Sequence, residues 1–367
     1  SSLIVASIAE QGLKYPCFTM GFAGASSYYE ERPQAASLAK YYGMQHEELE
    51  IDETTVIKNI PEILGACDEP FADTSAIPFY MLSKQVSSNV KVVLSGDGGD
   101  ELFGGYNRYL WTPNIINRLN KIPFPLRKIF ANTLIYFQKH NITVSDDLAE
   151  KILKVSQFNE KVIKTANKLR NYKNLNEMLL NPVSEWDNNS KIVPNLNDEI
   201  KLNVEFPSSL KNIVSKMMYL DSQTYLSDDI LCKVDRASMF NSLEVRCPFL
   251  DKEVVKIANQ IPTDMKIKNK SGKFILKEIL KKYVPEHLIN RPKKGFAIPL
   301  GNWLKHPLRE WGEELLSTNK LKQHNFVNYK LVQSLWNDHK NNNVDHSSKL
   351  WPILMFQNWL LKKLVYI

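Results

Sequence analysis

The first hundred residues alternate between short apolar runs and longer stretches in which apolar residues recur at helical spacing. The helical stretches are 1–9, 34–42, 53–66 and 77–86, and Gly43 ends the second of them. The apolar runs rich in β-branched and aromatic residues are 15–22, 45–51 and 90–94, and they are typical of strands. Because strands and helices alternate, the pattern predicts an α/β fold with a parallel, doubly wound sheet.

The pattern changes after Tyr106. From about Leu110 onward the apolar residues keep helical spacing, loops such as 187–198 are rich in Asn and Asp, and no stretch is convincing as a strand. The sequence therefore divides into an α/β part, residues 1–110, for which the loop described next predicts nucleotide binding, and a mainly helical part, residues 111–367.

The most informative segment is the glycine-rich loop that follows the third predicted strand and runs from Ser95 to Tyr106. Open α/β sheets bind nucleotides at the carboxyl ends of their strands, and backbone N–H groups at a helix start favour phosphate. The loop carries Asp97, Asp100 and Glu101, which would repel ATP unless Mg²⁺ lay between them. It therefore predicts a Mg-nucleotide site, with an acidic surface turn as the alternative.

Composition narrows the class of protein. The 367 residues have a net charge of +7 but no dense Lys/Arg tract interleaved with aromatics, so a phosphate-bearing small molecule explains the charge as well as nucleic acid would. The four cysteines are far apart and form no CxxC pair, which is typical of reduced thiols in a cytoplasmic protein. No apolar run reaches membrane-spanning length, so we expect neither a nucleic-acid nor a membrane partner.

Four charged segments stand out in the helical part: 227–239, 242–251, 270–277 and 291–296. Taken alone, the first two are typical of local salt-bridge networks that fix a helix or a turn. In the third, Lys273 follows Gly272 at a predicted helix start, where a lysine can reach a phosphate as a mobile charge. Solvated surface loops are the alternative for the last two.

Together these segments resemble one family. The motifs 95–106, 228–239, 243–251, 272–273 and 291–296 occur in the order found in the synthetase domain of class II, glutamine-hydrolysing asparagine synthetases. The loop 68–75 and the segment 349–360 resemble that family too, so the likeness covers essentially the whole chain. It implies an ATP-pyrophosphatase fold, similar to the adenine nucleotide alpha hydrolases.

The resemblance also implies roles for individual residues. Nucleotide binding falls to Met20, Ser95, Gly96, Asp97 and Gly98, Mg²⁺ binding to Asp100, and catalysis to Asp97, Lys273 and Tyr106. The residues Asp235, Arg236, Glu244 and Arg246 are expected to hold the helical half against the sheet.

The implied reaction is ATP-dependent amide synthesis. The side-chain carboxylate of aspartate becomes an acyl-adenylate with loss of diphosphate, and ammonia derived from glutamine then displaces AMP. Asp97 stands where typical members have a longer glutamate, and the loop 68–75 lacks the Thr/Arg aspartate-binding pattern of the best-known members. Adenylation of another carboxylic acid, a β-lactam-synthetase-like reaction and a non-catalytic binding module therefore stay open.

The family places a Ser-Gly-Gly-x-Asp-Ser-Ser loop at the end of its central strand, and Ser1 and Ser2 resemble the last two residues of that loop. We accordingly expect that strand and a glutaminase domain upstream in the full-length chain, and no ATP–pyrophosphate exchange from residues 1–367 alone. A homodimer is compatible with the resemblance.

Overall fold

The computed structural model describes residues 1–22, 31–119, 121–139, 204–289, 298–341 and 344–364, and in addition residues 162, 166, 169, 170, 179, 186 and 192–194. The predicted motif 291–296 and most of the loop 187–198 lie outside the described residues.

Helices and strands alternate along the first 105 residues, as the hydrophobic pattern predicts. The elements are α1 (Ser2–Glu10), β1 (Cys17–Phe22), α2 (Arg32–Tyr42), β2 (His46–Ile51), α3 (Glu53–Gly65), α4 (Ala76–Val86), β3 (Val92–Leu94) and α5 (Gly99–Phe103). Local signals set two of the boundaries. Gly43 ends α2 in the left-handed conformation, and the Asp52 carboxylate caps α3 by accepting the Thr55 N–H at 2.7 Å.

The described remainder is mostly helical. Its first elements are α6 (Asn107–Leu119), α7 (Phe124–Lys139), α8 (Ile213–Gln223), a π-helix (Tyr225–Leu231), α9 (Cys232–Met239) and β4 (Glu244–Arg246). They are followed by α10 (Lys252–Gln260), α11 (Thr263–Lys266), α12 (Phe274–Leu280), α13 (Leu300–Lys305), α14 (Arg309–Leu315), α15 (Thr318–His324), α16 (Tyr329–Lys340) and α17 (Ser347–Leu364). Short 3₁₀ turns cover Pro248–Leu250 and Glu286–Leu288.

The strands pair in parallel, and one pair joins the two halves of the sequence. Strand β1 pairs with β2, whereas β3 pairs with β4 so that Val93 lies opposite Val245. The expectation of no strand in the helical half is therefore wrong: β4 has only three residues, too few to show the alternation that marks a strand. Among the described residues the strands form two separate two-stranded sheets. Mixed α/β structure with parallel pairing is confirmed, and a single doubly wound sheet stays a prediction.

Residue contacts group the chain into two compact units. One unit contains residues 1–105, 188–199 and 221–367, and the other contains residues 106–187 and 200–220. This grouping differs from the division at residue 110, which follows the change in hydrophobic pattern along the sequence and stays a prediction.

In the first unit, one apolar cluster packs α5, α10 and α12 together. Leu102 and Phe103 of α5 pack with Ala258 of α10, and Ile275 and Leu276 of α12 pack against that cluster. These contacts attach α10 and α12 to α5, the helix that begins at the end of the loop after β3. No helix in the described part of the chain combines the length and the apolarity that a bilayer crossing requires.

Candidate functional site

The loop after β3 leaves the carboxyl end of a parallel strand pair. The Ser95 N–H donates to the Arg246 carbonyl at 2.9 Å, which extends the β3–β4 ladder by one bond. Gly98 then takes the left-handed conformation with φ of 84°, and α5 begins at Gly99. A Cβ at Gly98 would also collide with the Leu250 side chain. Both the turn and this contact therefore require glycine at residue 98.

The segment after β4 packs against the same loop. Phe249 lies 3.3 Å from the position that a Cβ on Gly99 would take. Burial, and then the nearby charge of Asp97, raise the pKa of the Cys247 thiol to about 11. The thiol is thus protonated at neutral pH, which is unfavourable for a nucleophile. The predicted motifs 95–106 and 243–251 therefore meet here, and residues of the second motif pack against the loop of the first.

Asp97 is held by its own loop. The Ser95 hydroxyl donates to Asp97 Oδ2 at 2.5 Å, which fixes the carboxylate two residues from the strand end. Lys273 pairs instead with Asp100, and no ion pair among the described residues joins Asp97 to Lys273. The two proposed catalytic residues therefore have separate partners in this structure.

Asp100 and Lys273, which are 173 residues apart, form the central ion pair of the site. Lys273 Nζ lies 3.0 Å from Asp100 Oδ2, and the two side chains are 33% and 24% exposed. The Lys273 N–H donates to the Phe103 carbonyl at 3.1 Å, and Gly272 lies against the Gly104 carbonyl. A Cβ on Gly105 would collide with both side chains of the pair. Gly105 therefore leaves the space that the pair occupies, whereas Gly104 faces Ile267 and contacts Gly272 through its carbonyl.

The other two predicted residues lie elsewhere. Met20 lies within β1, opposite Leu49 of β2, and is 6% exposed, so only its backbone is suited to meet a nucleotide. Tyr106 belongs to the second unit, where its ring packs edge-on against Tyr109 and under the Arg108 guanidinium at 4.4 Å. The structure thus brings together Asp100, Lys273 and the Ser95–Gly98 loop.

Four residues were expected to hold the helical half on the sheet, and they form two separate groups of ion pairs. Glu244 and Arg246 pair with each other at 2.7 Å on β4, whereas Arg236 pairs with Asp68 at 3.1 Å and with Asp235 at 3.5 Å. All of these side chains are largely exposed, so each pair adds little stability.

A second charged cluster joins the loop before α4 to the π-helix and α9, and no sequence pattern indicates that its members meet. Lys233 is 8% exposed. Its Nζ donates to Asp73 Oδ2 at 2.9 Å and to Ser75 Oγ at 2.7 Å. Burial alone would raise the pKa of Asp73, but Lys233 and Ser75 hold it below its ordinary value. Burial, and then Asp73, raise the pKa of Asp229 to about 7. Asp73 therefore stays ionised beside Lys233, whereas Asp229 takes up a proton as the pH falls through about 7.

A small cavity of about 20 Å³ lies beside this cluster. It is lined by residues of the loop 68–75, among them Phe71 and Asp73, and by Trp351 and Trp359 of α17. The indole N–H of Trp359 donates to the Asp68 carbonyl at 2.9 Å, so two predicted motifs meet here as well. The cavity has room for about one water molecule and is too small for an amino acid.

These features define a helix-rich α/β protein in which a glycine loop at the end of a parallel strand carries a carboxylate–lysine pair. The sequence matches the asparagine synthase family over residues 1–361. The chain therefore belongs to the asparagine synthase family.

Relatives with assigned names agree with this placement. The chain is similar to the glutamine-hydrolysing asparagine synthetase 1 of Bacillus subtilis, with 32% identity over 98% of this chain and 54% of the relative. It is also similar to a putative glutamine-hydrolysing asparagine synthetase of Mycobacterium bovis, with 31% identity over 93% of this chain and 50% of the relative. The amidase chyE of Penicillium rubens is more distant, at 24% identity over 86% of this chain and 48% of the relative. The chain spans about half the length of the curated relatives that it matches.

Proposed function

We propose that this chain forms the synthetase part of an enzyme that activates a carboxylic acid with ATP and converts it to an amide. Family membership supports amide synthesis in general, and the relatives' names point to aspartate as the acid and to glutamine as the nitrogen source. The observation that carries the proposal is the Asp100–Lys273 pair, which follows the glycine loop after β3 and packs against Gly105.

The reaction explains why the site needs a lysine. A carboxylate oxygen attacks the α-phosphorus of ATP, the bond to the β-phosphate breaks, and diphosphate leaves with its charge. Negative charge is concentrated at that moment, and a positioned cation stabilises it. Lys273, with its single ion pair and one-third exposure, is able to turn from Asp100 to a phosphate oxygen.

Asp97 and the glycines serve the acyl half of the reaction. Ammonia attacks the acyl carbon, AMP leaves, and a proton must leave the attacking nitrogen. The Asp97 carboxylate, oriented by Ser95, is the group suited to accept that proton. Gly96 and Gly98 keep the loop that carries Asp97 close to its neighbours, because the Ser1 backbone and Leu250 fill the space that a Cβ would need.

The donors present fit Mg²⁺ in one limited way. The described residues contain no group of three or more His, Cys, Asp or Glu side chains that could hold a metal ion by themselves. Mg²⁺ often takes only one or two protein carboxylates and completes its shell with phosphate oxygens and water. Asp100 fits that pattern as a single protein ligand. Bound there, Mg²⁺ would offset part of the charge on the phosphate chain.

A second acceptor class keeps the same activation step. Asp97 is shorter than the glutamate of typical members, and one relative is named an amidase instead of an asparagine synthetase. Acids other than aspartate are therefore the second candidate. We also propose that ammonia comes from a glutaminase domain, because the relatives' names include glutamine hydrolysis.

The test is carboxylate-dependent formation of AMP and diphosphate by the full-length protein, measured over a panel of acids that includes aspartate. We expect Lys273→Met to lower kcat/KM for AMP formation by about 10²–10³-fold, the usual loss for one transition-state cation or donor. Lys281→Met is the matched control, because Lys281 lies on the surface and pairs with Glu278 at 2.7 Å. Absence of AMP formation with every acid by a folded protein would favour the non-catalytic binding module.

A further inference from the structure

The segment from Met265 to Lys277 concentrates positive charge beside the Asp100–Lys273 pair. It contains five lysines and no Asp or Glu, namely Lys266, Lys268, Lys270, Lys273 and Lys277. Such a run is an ordinary solvated surface when each ammonium group faces water or a carboxylate. The surroundings of each lysine therefore decide whether the charge has a use.

Lys277 is one helical turn from Lys273 and differs from a surface lysine in its partner. Its Nζ donates to the Ser271 hydroxyl at 2.6 Å, and no carboxylate among the described residues pairs with it. Burial, and then the positive charge of Lys273, lower the pKa of Lys277. Two ammonium groups thus lie close enough to affect each other, and of the two only Lys273 is paired with a carboxylate of the described residues, Asp100. Like charges at this spacing are destabilising unless an anion balances them.

The next lysine along the helix gives the contrast. Lys281 is again one turn on, but its Nζ pairs with Glu278 at 2.7 Å, which is the usual arrangement on a solvated helix face. Lys281 thus has a carboxylate of α12 as its partner, whereas Lys277 has a neutral hydroxyl from the loop that precedes α12.

The position of Lys277 is fixed relative to the strand-end loop. Ser271, which binds Lys277, precedes Gly272, and Gly272 rests against the Gly104 carbonyl. Lys268 and Ser271 also bond to each other through their backbones, which closes the loop that carries Ser271. The two lysines therefore share one short, well-connected segment at the edge of the site.

We propose that Lys277 is a second phosphate-binding residue of this site, which together with Lys273 binds the diphosphate group. A diphosphate carries several negative charges over two adjacent phosphorus centres, so it can meet two ammonium groups one helical turn apart. The Ser271 hydroxyl keeps Lys277 in place without neutralising it. This inference rests on the proposed function for the origin of the diphosphate, but the binding itself is measured independently of turnover.

The test is calorimetric binding of inorganic pyrophosphate, ATP and AMP to the full-length protein, with and without Mg²⁺. We expect Lys277→Met to weaken pyrophosphate and ATP binding about tenfold or more, the usual value of a charge-assisted bond. AMP, which lacks the diphosphate, should bind with unchanged affinity. Lys277→Arg should retain most of the affinity, Ser271→Ala should lose a smaller part, and Lys281→Met should bind as the wild type does.

Three outcomes would overturn the inference: unchanged pyrophosphate affinity in both Lys277→Met and Lys277→Gln, equal losses for AMP and pyrophosphate, or an equal loss in Lys281→Met. Wild-type protein that forms AMP without measurable pyrophosphate binding would overturn it too. If no acid supports AMP formation while the Lys277 effect on pyrophosphate persists, the proposed function fails and the phosphate site stands. The two failures are thus distinguishable.

Discussion

Lys233 and Lys273 each pair with one aspartate, yet their surroundings suit them to different tasks. Lys233 is 8% exposed and bonded to both Asp73 and Ser75, so moving it would leave an uncompensated charge in the interior. Lys273 is one-third exposed and has one ion pair, which costs little to break. The first lysine therefore fixes the loop 68–75, and the second is free to follow a phosphate.

Asp229 should make the stability of the fold depend on pH between about 4 and 7. Its pKa rises from 3.8 to about 7 on folding, so the folded state binds more protons in that window and loses stability as the pH rises through it. We expect the free energy of unfolding of Asp229→Asn, relative to that of wild type, to rise by about 1–2 kcal/mol between pH 4 and pH 8, after allowance for solvent screening. Urea unfolding at several pH values measures this difference.

Asp228→Asn is the control for that experiment, because Asp228 is an exposed neighbour on the same π-helix and is bonded to Ser227. The unfolding free energy of Asp229→Asn should therefore rise relative to that of Asp228→Asn between pH 4 and pH 8. A pH-independent difference between the two variants would contradict a raised pKa of Asp229 in this cluster.

At the scale of elements, local signals predicted the helices and strands of the first 105 residues, but long-range pairing was not readable. Gly43 and Asp52 mark helix boundaries through their own chemistry, and those boundaries were found within a few residues. Strand β4 was missed because three residues form a strand only when a partner, here β3, supplies the hydrogen bonds. The π-helix 225–231 was missed because its spacing has no distinct apolar pattern.

The same limit applies to the site. The Ser95–Gly98 loop and the Gly272–Lys273 step were recognisable as motifs, whereas the Asp100–Lys273 contact requires the fold to bring α5 and α12 together. Lys233 and Asp73 are 160 residues apart, and nothing in the spacing of either segment indicates that they meet. The Ser-Gly-Lys-x-x-x-Lys pattern at 271–277 was the available signal for Lys277.

Strand β4 should owe its position to Leu243, which precedes it and is 2% exposed. Removing three buried carbons leaves a cavity, so we expect Leu243→Ala to lower the free energy of unfolding by about 2–5 kcal/mol. Because β4 supports the loop after β3, AMP formation at temperatures near the midpoint should fall in parallel with folding. Leu13→Ala, at a residue that is 42% exposed, is the control and should change the unfolding free energy by less than about 1 kcal/mol.

At the scale of the whole molecule, two parts of the sequence combine to form the proposed site. The first part supplies β3, the glycine loop and Asp100, and the helical part supplies β4, the 247–250 turn and Lys273. The net charge of +7 favours a polyanionic substrate such as ATP over a cationic one. In the proposed reaction Lys273 acts at the phosphate chain and Asp97 at the acyl carbon, so the two residues serve successive steps.

Activation at the α-phosphorus should occur before ammonia takes part. We therefore expect the full-length protein to exchange labelled pyrophosphate into ATP in the presence of the acid and in the absence of any amine. Asp97→Asn should keep this exchange within about threefold of wild type while lowering amide formation about 10²-fold, since general-base contributions are of that size. Lys273→Met should lose both activities. Exchange that requires ammonia, or release of ADP instead of AMP, would contradict an acyl-adenylate and with it the division of labour between Lys273 and Asp97.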